Sequence, residues 1–125
     1  MTGSYRVLVI DDEHRLLDTL QDSLSQDGFF EVVTAISGEE GLRIAETQLP
    51  DIIILDLMMP GLDGLELCRL LKGNLETKDI PIIVLTARDD ITSVVEAFRQ
   101  GATNYLLKPF DPARLRRELR NALAI

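Results

Sequence analysis

Short apolar runs, several of them nearly pure Val, Ile and Leu, recur along the chain at a steady interval. They are Val7 to Ile10, Phe30 to Ala35, Ile52 to Leu55, Ile82 to Leu85 and Tyr105 to Leu107. Apolarity that is continuous rather than alternating predicts strands covered on both faces, as in a parallel sheet. Between these runs the apolar residues switch to helical spacing. Leu16, Leu17, Leu20 and Leu24 form the first series, and Leu42, Ala45 and Leu49 the second. Leu67, Leu70 and Leu71, then Val94, Val95 and Phe98, then Leu115, Leu119 and Leu123 form the other three. Each series predicts a helix with one apolar stripe.

The punctuation agrees with this division. Gly28, Gly73 and Gly101 stand where helices should stop. Ser37 with Glu40 three residues on reads as a capping box. Asp111 followed by Pro112 reads as an N-cap and first helical residue. Pro81 breaks the chain just before the fourth strand. Five successive βα units predict an α/β fold, a doubly wound five-stranded parallel sheet with helices on both faces. The pattern predicts a single domain over residues 1–125, with a core of about 5–123 and neither linker nor low-complexity tract.

Composition narrows the function. At 125 residues, 46% hydrophobic and 27% charged, the chain is too apolar to be disordered. No apolar run approaches the ~18 residues of a membrane span. The opening Met1 to Arg6 has no basic flank, long apolar stretch and cleavage site, so no secretion signal is expected. The lone cysteine, Cys68, excludes an internal disulfide and a cysteine-built zinc site, and a reducing cytoplasm is expected. The net charge of −8 argues against direct nucleic-acid binding by this domain. The charge is uneven. Lys108, Arg114, Arg116, Arg117 and Arg120 outnumber Asp111 and Glu118 within residues 108–120, leaving a mildly basic last helix on an acidic body.

In a parallel sheet of this kind functional groups gather at the carboxyl ends of the strands. After the first strand stand Asp11, Asp12 and Glu13; after the third, Asp56; after the fourth, Thr86; and at the end of the fifth, Lys108, followed by Pro109. Singly each has an ordinary reading. Asp11 to Glu13 could be an acidic cap and first turn, Thr86 a strand-end threonine, Lys108 a surface lysine. Together they predict three aspartates, a hydroxyl and an ammonium at one edge. At an effective dielectric of ~20, two carboxylates about 4 Å apart repel by about 4 kcal/mol. Lys108 offsets part of that, and Mg²⁺ or Mn²⁺ in an all-oxygen site would offset more. The chemistry this set favours is phosphoryl transfer to or from a carboxylate.

These motifs, in this order, resemble the receiver domain of two-component response regulators over about Tyr5 to Leu123. The matching stretches are Val7 to Glu13, Asp51 to Gly64, Pro81 to Ala87, Gly101-Ala102 and Tyr105 to Phe110. The resemblance implies the (βα)5 flavodoxin-like, CheY-like fold. It implies that Asp56 accepts a phosphoryl group from a sensor histidine kinase or phosphotransfer protein. It implies Mg²⁺ held by Asp12, Asp56 and the backbone carbonyl of Met58, with Asp11 on a metal-bound water. Thr86 and Lys108 would each take a phosphoryl oxygen, the Lys108–Pro109 bond would be cis, and Tyr105 would be the switch aromatic. The response would be a repacked face of the fourth helix, fifth strand and fifth helix, regulating an output domain outside this chain, a partner, or a homodimer through that face. Beyond its own phosphorylation and dephosphorylation no enzymatic activity is expected. Two features depart from subfamily patterns. Thr103-Asn104 stands where winged-helix regulators carry acids that pair with last-helix arginines, which puts that dimer mode in doubt. Met58 is apolar where a side chain would face the phosphorylated aspartate.

Two alternatives remain. An aspartyl-nucleophile phosphatase of similar fold needs an acid two residues after the nucleophile, and that position is Met58. A non-phosphorylated pseudo-receiver would not need the intact set of Asp12, Asp56, Thr86 and Lys108. His14, Cys68 and Asp63 read as an exposed helix residue, a core thiol and an N-cap.

Overall fold

The computed structural model describes residues 4–26, 28–87 and 91–125, so the opening Met1 to Gly3 lie outside the described residues. The elements alternate without exception: β1 (Tyr5–Ile10), α1 (His14–Ser25), β2 (Phe30–Ala35), α2 (Gly38–Gln48), β3 (Ile52–Asp56), α3 (Gly64–Lys72), β4 (Ile82–Ala87), α4 (Ile91–Arg99), β5 (Asn104–Lys108) and α5 (Pro112–Leu123). All strand pairs are parallel, in the order β2-β1-β3-β4-β5. The chain leaves β1 for one side of the sheet and returns to β3 on the other. The switch point therefore lies between β1 and β3, where Asp11 and Asp56 emerge.

Continuous apolarity has the cause the pattern implies: both faces of the central strands are covered. Leu8, Ile10, Ile53, Leu55, Ile82 and Val84 point one way and pack with Leu67, Cys68 and Leu71 of α3 and Ala97 of α4. Val7, Val9, Ile52, Ile54, Ile83 and Leu85 point the other way, onto Leu17, Leu20 and Leu24 of α1 and Leu115 and Leu119 of α5. Alternate residues of one strand thus feed two cores, as the period-two backbone demands.

The caps follow the sequence. Ser37 Oγ accepts the Glu40 N–H at 3.1 Å, the first half of a capping box, while Glu40 Oε1 reaches one residue further back and accepts the Ile36 N–H at 2.9 Å. Asp63 accepts from the Glu66 N–H at 2.9 Å, and Asp111 from the Ala113 N–H at 3.0 Å. Two apolar series differ from the expectation. Leu49 is not on the α2 stripe; it is the C-cap, left-handed at φ 46°, and exposed. On α4 the buried pair is Val94 and Ala97, while Val95 and Phe98, expected on the same stripe, lie exposed on the outer side with Ile91. Val95 stands about 100° round the helix from Val94, and Phe98, four residues from Val94, lies at the rim of the buried face, where its ring meets Tyr105.

Candidate functional site

The site is built from strand ends. Parallel pairing sets Ile10 beside Leu55 and Leu55 beside Val84, so β1, β3 and β4 end nearly level. Asp11 is the residue after β1 and is wholly buried; its N–H donates to Ala35 O of β2 at 3.0 Å. Asp56 is the last residue of β3 and is 4% exposed. Asp12 faces solvent. One carboxylate oxygen from each of Asp11, Asp12 and Asp56 lies within 4.8 Å of the others.

Lys108, at the end of β5, reaches into this cluster. Its Nζ donates to Asp11 Oδ2 at 2.9 Å and Asp56 Oδ2 at 3.2 Å. The remaining oxygens are also fixed: Asp11 Oδ1 accepts the Glu13 N–H at 2.9 Å, and Asp56 Oδ1 accepts the Met58 N–H at 3.0 Å. The Lys108–Pro109 peptide is cis. Burial pushes the Asp56 carboxyl above its ordinary value and Asp11 adds to that push, against the opposing pull of the Met58 N–H and Lys108. Burial alone would lower Lys108, but the hydrogen bonds and attraction of Asp11 and Asp56 hold it above the ordinary lysine value. Three carboxylates and one ammonium leave two negative charges in excess, and every donor is a hard oxygen. That set fits a divalent cation of the Mg²⁺ or Mn²⁺ type.

Thr86 is wholly buried in β4, one residue beyond Leu85, the register partner of Asp56. Its hydroxyl donates only a long 3.4 Å bond to Ala87 O among the described contacts. Met58 lies two residues past Asp56, with its side chain 63% exposed. Tyr105, in β5, is half-buried and stands edge-on to Phe98 of α4, the ring centres 6.1 Å apart. Asp11, Asp12, Asp56 and Lys108 are therefore brought together; Thr86 sits behind them, and Tyr105 is further along β5, toward α4.

The ordinary reading of the first acids, an acidic cap and first turn, holds only in position. Glu13 occupies the N-cap of α1 without a side-chain cap bond, and α1 has no acidic residue in its first turn. Its carboxylate instead stands 4.0 Å from Lys108 Nζ. Glu13 thus joins the site, a role its place directly after Asp12 hinted at. Gly64 reads in the sequence only as part of a turn and helix start, and the structure adds a reason for it. A Cβ there would lie 2.6 Å from Asp56 O and from Leu57 Cα, so only glycine lets α3 start this close to Asp56. On α5, Arg116 donates to Ser23 O and Arg120 lies 5.1 Å over the Phe29 ring. Both arginines are turned toward the α1 side, and Asn104 donates to Glu118 at 2.6 Å.

The model of the response regulator receiver domain matches residues 7–120. The chain belongs to the response regulator receiver domain family, the receiver of two-component systems. It is 43% identical over 107 residues to the alkaline phosphatase synthesis transcriptional regulatory protein PhoP of Bacillus subtilis, covering 86% of this chain and 43% of that protein. It is 43% identical over 120 residues to the response regulator MprA of Mycobacterium tuberculosis, covering 96% of this chain and 51% of MprA. The chain thus spans about half the length of the curated relatives it matches. Among solved structures it superposes on the Vibrio cholerae chemotaxis protein CheY4 with a TM-score of 0.90 at 32% identity, covering 97% of this chain and all of that one. A response regulator receiver domain protein of Clostridium thermocellum gives 0.88 at 36% identity over 96% of this chain and 94% of its own. Among the described residues no helix of this receiver is long and apolar enough to cross a membrane.

Proposed function

We propose that this receiver domain is a phosphorylation-driven switch whose phosphoacceptor is Asp56. The observation that carries the reading is the buried Asp56 carboxylate, held between the Met58 N–H and the Lys108 ammonium beside two further aspartates. The donor is a phosphohistidine on a sensor histidine kinase or phosphotransfer protein. An Asp56 carboxylate oxygen bonds to phosphorus, the P–N bond of the donor breaks, and the imidazole leaves with its electron pair. Asp11, Asp12, Asp56 and the Met58 carbonyl would hold Mg²⁺, which supplies charge neutralisation for the transferring oxygens. Lys108 exchanges part of its present carboxylate bonding for a phosphoryl oxygen. The domain catalyses only this transfer and its hydrolysis.

The output follows from the sheet. Phosphorylation adds charge and acceptor oxygens beside Thr86, whose hydroxyl makes a long 3.4 Å bond to Ala87 O among the described contacts. Movement of Thr86 toward them vacates space behind it, and Tyr105 turns inward from its edge contact with Phe98. That repacks the α4–β5–α5 face, a population shift between two packings. A cytoplasmic regulator signalling through this face to an output domain, a partner or a second copy is the role the arrangement supports. The turning of Arg116 and Arg120 toward α1 leaves Arg114 and Arg117 exposed for any such pairing. The test is intact-mass measurement after incubation with phosphoramidate. One acid-labile phosphoryl adduct that requires Mg²⁺ and is missing from Asp56→Asn is expected; an undiminished adduct in the variant removes Asp56 from the role.

A further inference from the structure

The loop between β3 and α3, residues 57–63, carries Met58, and its placement decides how the Met58 backbone stands to the Asp56 carboxylate. The base of the loop is held on several sides. The Leu57 N–H donates to Leu85 O at 3.0 Å, and the Met58 N–H donates to Asp56 Oδ1 at 3.0 Å. Leu57 and Met59 are buried with Leu67 and Cys68 of α3. The tip is more open: Pro60, Gly61 and Asp63 are exposed, and Leu62 is half-buried.

That tip rests on the first turn of α2. Gly38, the first residue of the helix, is buried. A Cβ there would run into Leu62 O and stand 3.0 Å from Leu62 Cβ and 3.1 Å from Leu62 Cγ. Beside it, Glu39 Oε2 would lie 3.4 Å from a Cβ on Gly61, which holds φ +78°. The helix start is itself fixed, since Ser37 Oγ accepts the Glu40 N–H and Glu40 Oε1 accepts the Ile36 N–H. The chain reaches Gly38 directly from Ala35, the last residue of β2, whose carbonyl accepts the Asp11 N–H at 3.0 Å. One short segment, residues 35–38, therefore bears on both halves of the carboxylate cluster. It holds Asp11 through a backbone bond and the Met58 loop through the contact with Leu62.

We propose that Gly38 is a positioning residue for the cation site: its missing Cβ lets the loop tip lie against α2, and this contact sets Met58 beside Asp56. The inference rests on the reading that Asp56 and the Met58 carbonyl hold Mg²⁺. A methyl group at position 38 needs about 3.5 Å to a neighbouring atom, so the Leu62 carbonyl must retreat by on the order of an ångström. The displaced atom is backbone, so no side-chain rotation absorbs the shift, and it passes down the loop toward Met58. Contacts that orient metal ligands from behind are typically worth about 10–100-fold in affinity.

Calorimetric titration with Mg²⁺ compares the wild type with Gly38→Ala and Ser37→Ala, and hydrogen exchange of the metal-free chains follows the Met58 amide. Ser37→Ala weakens the same helix start without adding bulk against Leu62, so it shows what a merely structural role would do. Gly38→Ala should bind Mg²⁺ about tenfold more weakly and exchange its Met58 amide about tenfold faster. Its phosphoryl adduct should form slowly at low Mg²⁺ and at the wild-type rate once Mg²⁺ saturates. Ser37→Ala should keep the wild-type affinity and Met58 exchange. Absence of Mg²⁺ binding by the wild type overturns the reading of the site and this inference with it. Wild-type binding with unchanged affinity in Gly38→Ala, or an equal loss in both variants, overturns the role of Gly38 alone. Should Gly38→Ala fail to fold, Leu62→Ala probes the contact from the loop side, because it removes the Cγ beside Gly38 and adds no bulk. It should show weaker Mg²⁺ binding and faster Met58 exchange, and wild-type values for both overturn the proposal.

Discussion

Replacing Lys108 by methionine isolates the electrostatics of the site, because it keeps the stem and removes the charge. Lys108 Nζ lies 2.9 Å from Asp11 Oδ2 and 3.2 Å from Asp56 Oδ2. At an effective dielectric of ~20 each contact is worth about 5 kcal/mol of gross attraction, and two carboxylate oxygens at the 4.8 Å limit of this cluster repel by about 3.5 kcal/mol. Most of the attraction is offset by desolvation, and with 26% of the Lys108 side chain exposed, water enters when the ammonium is lost. Removing one partner of a buried pair costs about 3–5 kcal/mol, so a loss of about 2–4 kcal/mol in Mg²⁺-free buffer is expected here. The pH dependence has a definite sign. The folded-state value of Asp56 is already raised, and losing Lys108 raises it further. A carboxyl raised on folding destabilises the fold when charged, and that penalty disappears as pH falls through the raised value. The deficit of Lys108→Met should therefore shrink as the pH is lowered from neutral. Mg²⁺ should narrow it too, by stabilising the variant more than the wild type. Urea denaturation of both chains, at each pH and with or without Mg²⁺, measures all three effects. Equal stability of the two chains in Mg²⁺-free neutral buffer would refute the reasoning.

Other consequences are read in simpler assays. Gly64→Ala forces a methyl to within 2.6 Å of Asp56 O, and overpacking there should cost about 1–3 kcal/mol and weaken Mg²⁺ binding by calorimetry; unchanged affinity would separate Gly64 from the site. Ser37→Ala removes the α2 cap and should cost about 1 kcal/mol by denaturant midpoint, with no change in Mg²⁺ affinity. Cys68 is wholly buried and its thiol is pushed up to about 11 by burial, so iodoacetamide should label it slowly in the native chain and rapidly in urea; native labelling at the unfolded rate would contradict the packing.

The strands were legible because a two-faced core keeps the middle of β1, β3 and β4 free of polar residues, which stand only toward the strand ends as Arg6, Asp56 and Thr86, and each strand end could be read to within a residue or two. Helix faces were less legible where apolar residues are consecutive. Val94 and Val95 have near-identical chemistry, and only the angle at which α4 meets the sheet decides that Val94 is buried and Val95 is not. The convergence of Asp11, Asp12, Asp56 and Lys108 was readable from topology, since each follows a parallel strand. Glu13 stood in the same run after β1, but its approach to Lys108 was not readable, because a residue beside a helix start has an equally good reading as a cap. Gly64 was not, because its importance lies in what its missing Cβ would strike. The turning of Arg116 and Arg120 toward α1 depends on the docking of two distant helices and leaves no trace in local spacing.

The most direct measurement locates the phosphoryl group within the chain. After reaction with phosphoramidate and Mg²⁺, borohydride reduction converts an aspartyl phosphate to homoserine, which peptide mass spectrometry assigns to a position. Homoserine at position 56 alone is the predicted result; homoserine at another acidic position, or none anywhere, would contradict the account.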